Sequence, residues 1–339
     1  MEEISNVTLI IIVLVIIIVF AFCFEDFFLR EFIFDLLFRR RPKDINGKHV
    51  VVTGGSSGIG KCVAILAAKH GAHVTIIARN THKLHVAKHE IIDACKDQDV
   101  QKVKHLALDI GKDYDAVEKA LGDLERTMGP IYMLVNCAGT AICGKIEDTS
   151  IIELQQLTRT NFLGSYYCIK AVAQRMKVAQ EGIIVLTASE AALLGIFGYS
   201  AYCSTKFALR GLAESISMEF APYNISVTLS VPPDTDTPGF AVKQLYMTRE
   251  TKLICETSNL VSPEAVAEKL FKDALIGKFF STVGVKGFML TVLCSGMSPF
   301  HSTWIMFWES MLMGIFRLVG AFFRVQFQNI IRDCTKNSR

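Results

Sequence analysis

Two kinds of apolar pattern share the 339 residues of the chain. From His49 onward, short β-branched runs (HVVVTGG, HVTIIAR, KHLALDI, IYMLVNCAG, GIIVLTAS and ISVTLSVPP) alternate with helix-length amphipathic stretches. Unbroken apolar runs suit strands buried on both faces, and their alternation with helices predicts a doubly wound parallel α/β sheet. No internal repeat or low-complexity tract interrupts this alternation.

The two ends read differently. Val7 to Phe24 has no charge over 18 positions, about 27 Å of helix at ~1.5 Å per residue and close to the thickness of a bilayer core. The rival reading is a cleaved signal peptide, with Ala21-Phe22-Cys23 as its site, but the preceding residues Glu2 and Glu3 are acidic where a basic segment is expected. Arg30, Arg39, Arg40, Arg41 and Lys43 follow the run, which places the rest of the chain on the cytosolic side. Phe27 to Phe38 mixes aromatics with charges, as an interfacial helix does. Beyond Val283 the chain turns apolar again: Gly287 to Trp308 is broken by Gly296 and Pro299, and Glu309 and Arg317 interrupt the run to Phe323. Breakers and charges favour a membrane-embedded hairpin or an interfacial helix pair over one straight span. A hydrophobic subunit interface is the plainer alternative. The expected division is an anchor over 1–26, an interfacial linker over 27–46, one α/β domain over 47–283 and a membrane-associated tail over 284–339.

Composition adds little to this. The net charge of +3 is ordinary, and no basic stripe interleaved with aromatics points to nucleic acid. The ten cysteines are scattered singly, without CxxC or zinc spacing, and read as buried free thiols of a reducing compartment. His82, His85 and His89 share a helical spacing but have no partner ligands, so no metal is expected.

The chemistry lies in four places. Thr53-Gly54-Gly55-Ser56-Ser57-Gly58-Ile59-Gly60 follows a strand and opens a helix, where glycines let backbone amides approach a pyrophosphate. A purely structural turn is the alternative. The second strand ends in Ala78-Arg79-Asn80, with Lys83 one turn on. An acid at that point would bond both ribose hydroxyls of NAD, whereas cations suit the 2′-phosphate of NADP. Otherwise Arg79 is an idle surface residue. Asp109 is placed near the adenine, and Asn136-Cys137-Ala138-Gly139 would line the cofactor cleft. Finally, Ser189, Tyr202 and Lys206 stand 13 and 4 residues apart. Four residues along a helix is one face, and an ammonium beside a tyrosine favours its phenolate.

The order TGxxxGxG, NAG, Asn, Ser, YxxxK over roughly Gly47 to Val283 resembles the short-chain dehydrogenase/reductase family. The resemblance implies one Rossmann domain of about seven parallel strands. It implies Tyr202 as general acid, Lys206 lowering its pKa and bonding the nicotinamide ribose, Ser189 polarising the carbonyl, and Asn161 ordering a relay water. Tyr199 lacks a lysine four residues on and is set aside. Family members commonly dimerise through the YxxxK helix, which makes a homo-oligomer an expectation here too.

One departure is informative. After the sixth strand the family usually has Pro-Gly, followed by a threonine that holds the carboxamide; here Val231-Pro232-Pro233-Asp234-Thr235-Asp236-Thr237-Pro238-Gly239 puts Pro233 in place of the glycine. Pro232, Thr235 and Thr237 are expected at the cofactor, with Thr237 on the amide. PPDTDTPGF, AYCSTKFALRGLAE and the apolar tail are similar to a subgroup that reduces long-chain keto-lipids. That resemblance implies NADPH as cofactor, a long-chain lipid ketone as substrate, and the endoplasmic reticulum membrane with the catalytic domain facing the cytosol. A retinoid, steroid or other lipid ketone would use the same groups, and a non-catalytic dinucleotide-binding scaffold would have lost them.

Overall fold

All six apolar runs form strands of one sheet. The computed structural model describes residues 41–256 and 260–336, so the predicted anchor over 1–26 and the Phe27–Phe38 segment lie outside the described residues. The strands are β1 (His49–Thr53), β2 (His73–Ala78), β3 (Val103–Ala107), β4 (Ile131–Asn136), β5 (Gly182–Thr187) and β6 (Ile225–Ser230). A two-residue β7 (Phe280–Ser281) completes a parallel sheet of order β3-β2-β1-β4-β5-β6-β7.

Helices connect them: α1 (Gly58–Lys69), α2 (Thr81–Asp93), α3 (Tyr114–Met128), α4 (Ile151–Leu157), α5 (Gly164–Ala179), α6 (Ser200–Phe220), α7 (Pro238–Leu245), α8 (Arg249–Cys255) and α9 (Pro263–Leu275). The strand period of two sends Val50 and Val52 into a core shared with Ala64 of α1, Ile91 of α2 and Leu270 of α9. Val51, between them, joins the opposite core with Val117 of α3, Val172 of α5 and Leu209 of α6. β1, β4 and β5 are buried on both faces and read as nearly continuous apolar runs, whereas the edge strand β3 is only half-buried and β6 alternates apolar residues with Ser226, Thr228 and Ser230. Strand order reverses between β2-β1 and β1-β4, and in such sheets the crevice beyond the carboxyl ends of the strands at that point binds ligand.

The tail forms two helices, α10 (Gly284–Cys294) and α11 (Thr303–Lys336). Gly296, at φ +48°, and Pro299 fall in the turn between them. Glu309 and Arg317 do not break α11, which runs for 34 residues with an apolar window long enough to cross a membrane. One seam of α11 is nevertheless partly sheltered: Glu309, Leu312, Phe316, Gly320, Phe323 and Phe327 are half-buried between exposed neighbours. Spacings of three and four keep them on one face. Phe316 meets Phe288 of α10 edge to face, and Cys334 is buried. Trp304, Trp308, Met311, Ile315, Leu318 and Phe322 stand exposed outside that seam.

Candidate active site

The phosphate-binding turn comes first. Gly54 has φ +68° and Gly58 φ +54°, a left-handed region that glycine enters without steric cost. A Cβ on Gly54 would stand 2.7 Å from the Ala138 nitrogen, and one on Gly60 would stand 2.5 Å from the Gly54 carbonyl oxygen. The turn is therefore a cradle that side chains would fill. Ser57 starts α1 without a side-chain cap, so the first amides of the helix are left to face the crevice. Gly54, Ser56, Ser57, Gly58, Ile59 and Gly60 all line one cleft.

The rest of the cleft comes from other strand ends. Arg79, Asn80 and Lys83 form its edge after β2. Asn80 caps α2 by accepting from the Lys83 amide at 2.9 Å, which holds the two cationic residues on one rim. Asp109 lines the cleft and fastens its own loop by accepting from the Gly111 amide at 3.1 Å. Ala138 and Gly139 line it after β4, and Thr237 covers it from the far side. Thr237 caps α7 by accepting from the Phe240 amide at 3.1 Å, and its Cγ2 would meet a Cβ on Gly58 at 2.9 Å.

Three predicted contacts sit behind the cleft wall. Asn136 is 2% exposed and donates to the Val185 carbonyl at 3.2 Å, bracing β4 against β5. The buried Pro232 accepts from the Glu190 amide at 3.1 Å, tying the end of β6 to the Ser189 loop. Thr235 donates to Pro233 at 2.8 Å within a single bridge to Val261. These residues hold the wall that others present.

Ser189, Tyr202 and Lys206 converge at the inner end of the cleft. Ser189 leaves β5 in extended conformation and accepts from the Ala191 amide at 3.2 Å, which closes a short 3₁₀ turn. Tyr202 and Lys206 lie on one face of α6, with Lys206 buried and its Nζ donating to the Thr187 carbonyl at 3.1 Å. Burial raises the pKa of Tyr202, and a hydrogen bond with Ser189 offsets part of that rise. Lys206 is pushed down to about 8 by its own burial. The expected lowering of the tyrosine does not show here: burial leads, and its pKa is raised. Desolvation acts on both charged forms and is the larger effect.

Asn161 lies in a π-helical turn, Thr158–Leu163, between α4 and α5, and is wholly buried. Its amide accepts from the Thr140 N–H at 2.8 Å and donates to the Thr140 carbonyl at 2.9 Å and the Thr205 hydroxyl at 3.0 Å. A π-turn widens the helix, and here the widening points Asn161 at the loop beyond β4. A Cβ on Gly139 would stand 3.5 Å from Asn161 Oδ1 and 3.6 Å from Lys206 Nζ, so both side chains reach the underside of that glycine.

Beside this centre opens a recess whose other walls had no sequence signal. Glu190, Tyr199, Asp234, Lys286 and Phe327 line it together with Ser189 and Tyr202. Asp234 pairs with Lys243 at 2.9 Å. Glu190 Oε2 is 3.7 Å from Lys286 Nζ, Oε1 has no hydrogen-bond partner, and burial raises its pKa. Lys286 and Phe327 belong to the tail, more than eighty residues from Tyr202, and only folding brings them here. Cys203, next to Tyr202, is buried in a small apolar cluster with Ala191 and Tyr199, and its thiol pKa is raised.

A short chain dehydrogenase family model matches residues 48–245, which spans the cleft and the Ser-Tyr-Lys group. The chain is 45% identical to a 3-dehydrosphinganine reductase of Danio rerio over 308 residues, covering 91% of this chain and 92% of the relative. It is 46% identical to a 3-ketodihydrosphingosine reductase of Bos taurus, covering 87% and 88%. Among solved structures, levodione reductase matches with a TM-score of 0.63 at 21% identity, over 70% of this chain and 96% of that one. NAD+-bound xylitol dehydrogenase matches with 0.63 at 23%, over 71% and 99%. The solved structures speak for the fold. The family match and the two reductases, joined to a glycine cradle at the sheet's reversal point, make this chain an oxidoreductase that belongs to the short-chain dehydrogenase family and uses a nicotinamide dinucleotide.

Proposed function

We propose that the chain reduces the 3-keto group of 3-ketodihydrosphingosine to the alcohol, with NADPH as cofactor, at the surface of a cellular membrane. One observation carries the reading: Ser189 hydrogen-bonds Tyr202, and Lys206 Nζ lies 5.6 Å from the Tyr202 ring, in a chain that is 46% identical over 87% of its length to a reductase of that name. NADPH, when bound, supplies the hydride. Arg79 and Lys83 offer cations to its 2′-phosphate, the Gly54–Gly60 turn and the first amides of α1 take the pyrophosphate, and Thr237 faces the nicotinamide end.

The chain's own groups handle the oxygen. The Ser189 hydroxyl orients the carbonyl, and Tyr202 gives its proton to that oxygen as the carbon is reduced. A tyrosine whose pKa is raised keeps this proton through the neutral range. Lys206 stabilises the tyrosinate left behind, and the converging Asn161 and Lys206 side chains mark the route by which the proton is restored. The balance is one hydride to carbon and one proton to oxygen.

Membrane association rests on the outer face of α11. α11 packs Phe316 on Phe288 of α10 and brings Phe327 to the recess beside Tyr202, so this reading lays α11 flat in the interface with Trp304, Trp308 and Phe322 toward lipid. An interface location fits a long-chain substrate, since each buried methylene is worth ~0.8 kcal/mol. The test is NADPH oxidation by the purified chain with detergent-dispersed 3-ketodihydrosphingosine. Turnover of that ketone is expected. Turnover of a steroid or retinoid ketone in its place would assign the site to another lipid.

A further inference from the structure

A ketone held at Ser189 and Tyr202 must leave its alkyl chain somewhere, and the recess has two ways out. One, toward α7 and α8, shares Asp234 and Cys255 with the recess and sets Lys252 and Glu256 among Phe240, Leu245, Met247 and Leu260, so three charged residues stand along it. The other shares Ile196 and Phe327 with it and continues as a groove between the domain and the inner seam of α11. Ile196, Phe197, Ser200 and Cys203 form the domain side of this groove; Phe327, Gln328 and Ile331 form the helix side, with Arg324 the one charged residue in its lining. An apolar chain gains nothing from a path between charged groups and gains by each methylene placed against apolar walls.

The domain wall of the groove is fixed in place. Thr251 donates to the Phe197 carbonyl at 2.8 Å, and the Gly144 amide donates to the Gly198 carbonyl at 2.8 Å. Gly198 has φ +76°, and a Cβ there would come within 2.4 Å of Thr251 Oγ1, so the loop closes tightly on α8. The opposite wall is the same helix whose outer residues Leu318, Phe322 and Val325 are exposed. Ile196 and Phe327 thus stand at both the recess and the groove, and α11 carries the groove's helix wall on one side and exposed apolar residues on the other.

Resting on the reading of the site as a long-chain ketone reductase, we propose that the substrate's alkyl chain leaves the recess between Ile196 and Phe327 and lies along the inner seam of α11. The helix is then the wall of the chain-binding site as well as the face turned to the bilayer. Chain length is sensed by α11, while the keto head is read by Ser189 and Tyr202.

The experiment uses the full chain in phosphatidylcholine vesicles, with 3-ketodihydrosphingosine and a homologue shortened to a few carbons beyond the ketone. Ile331→Trp fills the groove beyond the head. It should lower the long-to-short ratio of kcat/KM by about tenfold or more, the effect of displacing roughly two methylenes. Leu260→Trp, at the other opening, should leave that ratio as it is. A ratio unchanged by Ile331→Trp, or lowered by Leu260→Trp instead, would overturn the assignment. A second measurement needs no variant: a diazirine on the substrate chain should label the 324–331 segment of the wild type, and excess unlabelled ketone should compete that label away. Competed label confined to 240–260 would refute the groove. A wild type that reduces neither ketone would defeat the reading of the site itself, which is a different result from turnover with the chain elsewhere.

Discussion

Lys206 Nζ lies 5.6 Å from the centre of the Tyr202 ring and donates to the Thr187 carbonyl, so the ammonium sits against the ring face and is tethered to the end of β5. Burial sets the proton affinities of the pair: the tyrosine holds its proton more tightly and the lysine less tightly than in water. In the proposed reduction, a tyrosine so placed holds the proton that passes to the carbonyl oxygen.

The first prediction concerns pH. Lys206 is charged below about 8 and loses that charge as pH rises through it, so reductive kcat should be level on the acid side and fall above that point. Lys206→Arg, which stays charged, should move the fall to higher pH. Tyr202→Phe should cost about 10²–10⁴-fold in kcat while NADPH binding, followed by fluorescence, survives. A Phe variant with near-normal turnover would remove Tyr202 from the reaction.

Cofactor choice follows from the rim after β2. Arg79→Asp replaces a cation with an anion where the 2′-phosphate is expected, and charge-assisted hydrogen bonds contribute ~1.5–3 kcal/mol. NADPH affinity should drop by about 10- to 100-fold, with NADH nearly unaffected, as measured by titration calorimetry. Equal losses for both would show that Arg79 does not read the phosphate.

His49 links the fold to acid stability. It is buried, with Nδ1 against the Gly129 carbonyl at 3.0 Å and Nε2 against the Thr75 hydroxyl at 2.8 Å. The carbonyl can only accept, so Nδ1 carries the hydrogen and Nε2 accepts from Thr75. Burial lowers its pKa from 6.5 to about 4. Across that window the unfolded state binds more protons, so stability falls as pH falls through it, by on the order of 3 kcal/mol. Urea unfolding between pH 7 and pH 4 should show the loss, and His49→Gln should flatten the slope.

The outer face of α11 should govern attachment to lipid. A triple change, Trp304→Ser, Trp308→Ser and Phe322→Ser, removes exposed apolar area while leaving the sheltered seam intact. In a chain beginning at residue 41, flotation with vesicles should drop sharply with little change in thermal stability. Unchanged flotation would place the membrane contact elsewhere.

Pattern alone made the architecture legible because strands buried on both faces must be apolar throughout, and only this layered sheet provides such positions. The two-residue β7 escaped because a pairing that short leaves no period to read. The glycine turn, the cationic rim and the Ser-Tyr-Lys spacing were equally legible, since each works within one local segment. Pro232, Asn136 and Thr235 stood in the right stretches, but whether such a residue faces the cleft or braces its wall depends on packing behind it.

What the sequence by itself determined is therefore the chemistry: a dinucleotide cradle and a proton donor with its lysine, because helix and strand periods alone align those groups. What only the tertiary structure decided is the setting. Burial raises the pKa of Tyr202 and lowers that of Lys206, because desolvation is a property of the surroundings and not of spacing. Glu190, Lys286 and Phe327 come from segments far apart in the chain and share one recess only once the tail folds back. What packs against α11 is likewise a matter of folding: Phe316 meets Phe288 of α10, and Phe327 reaches the recess beside Tyr202.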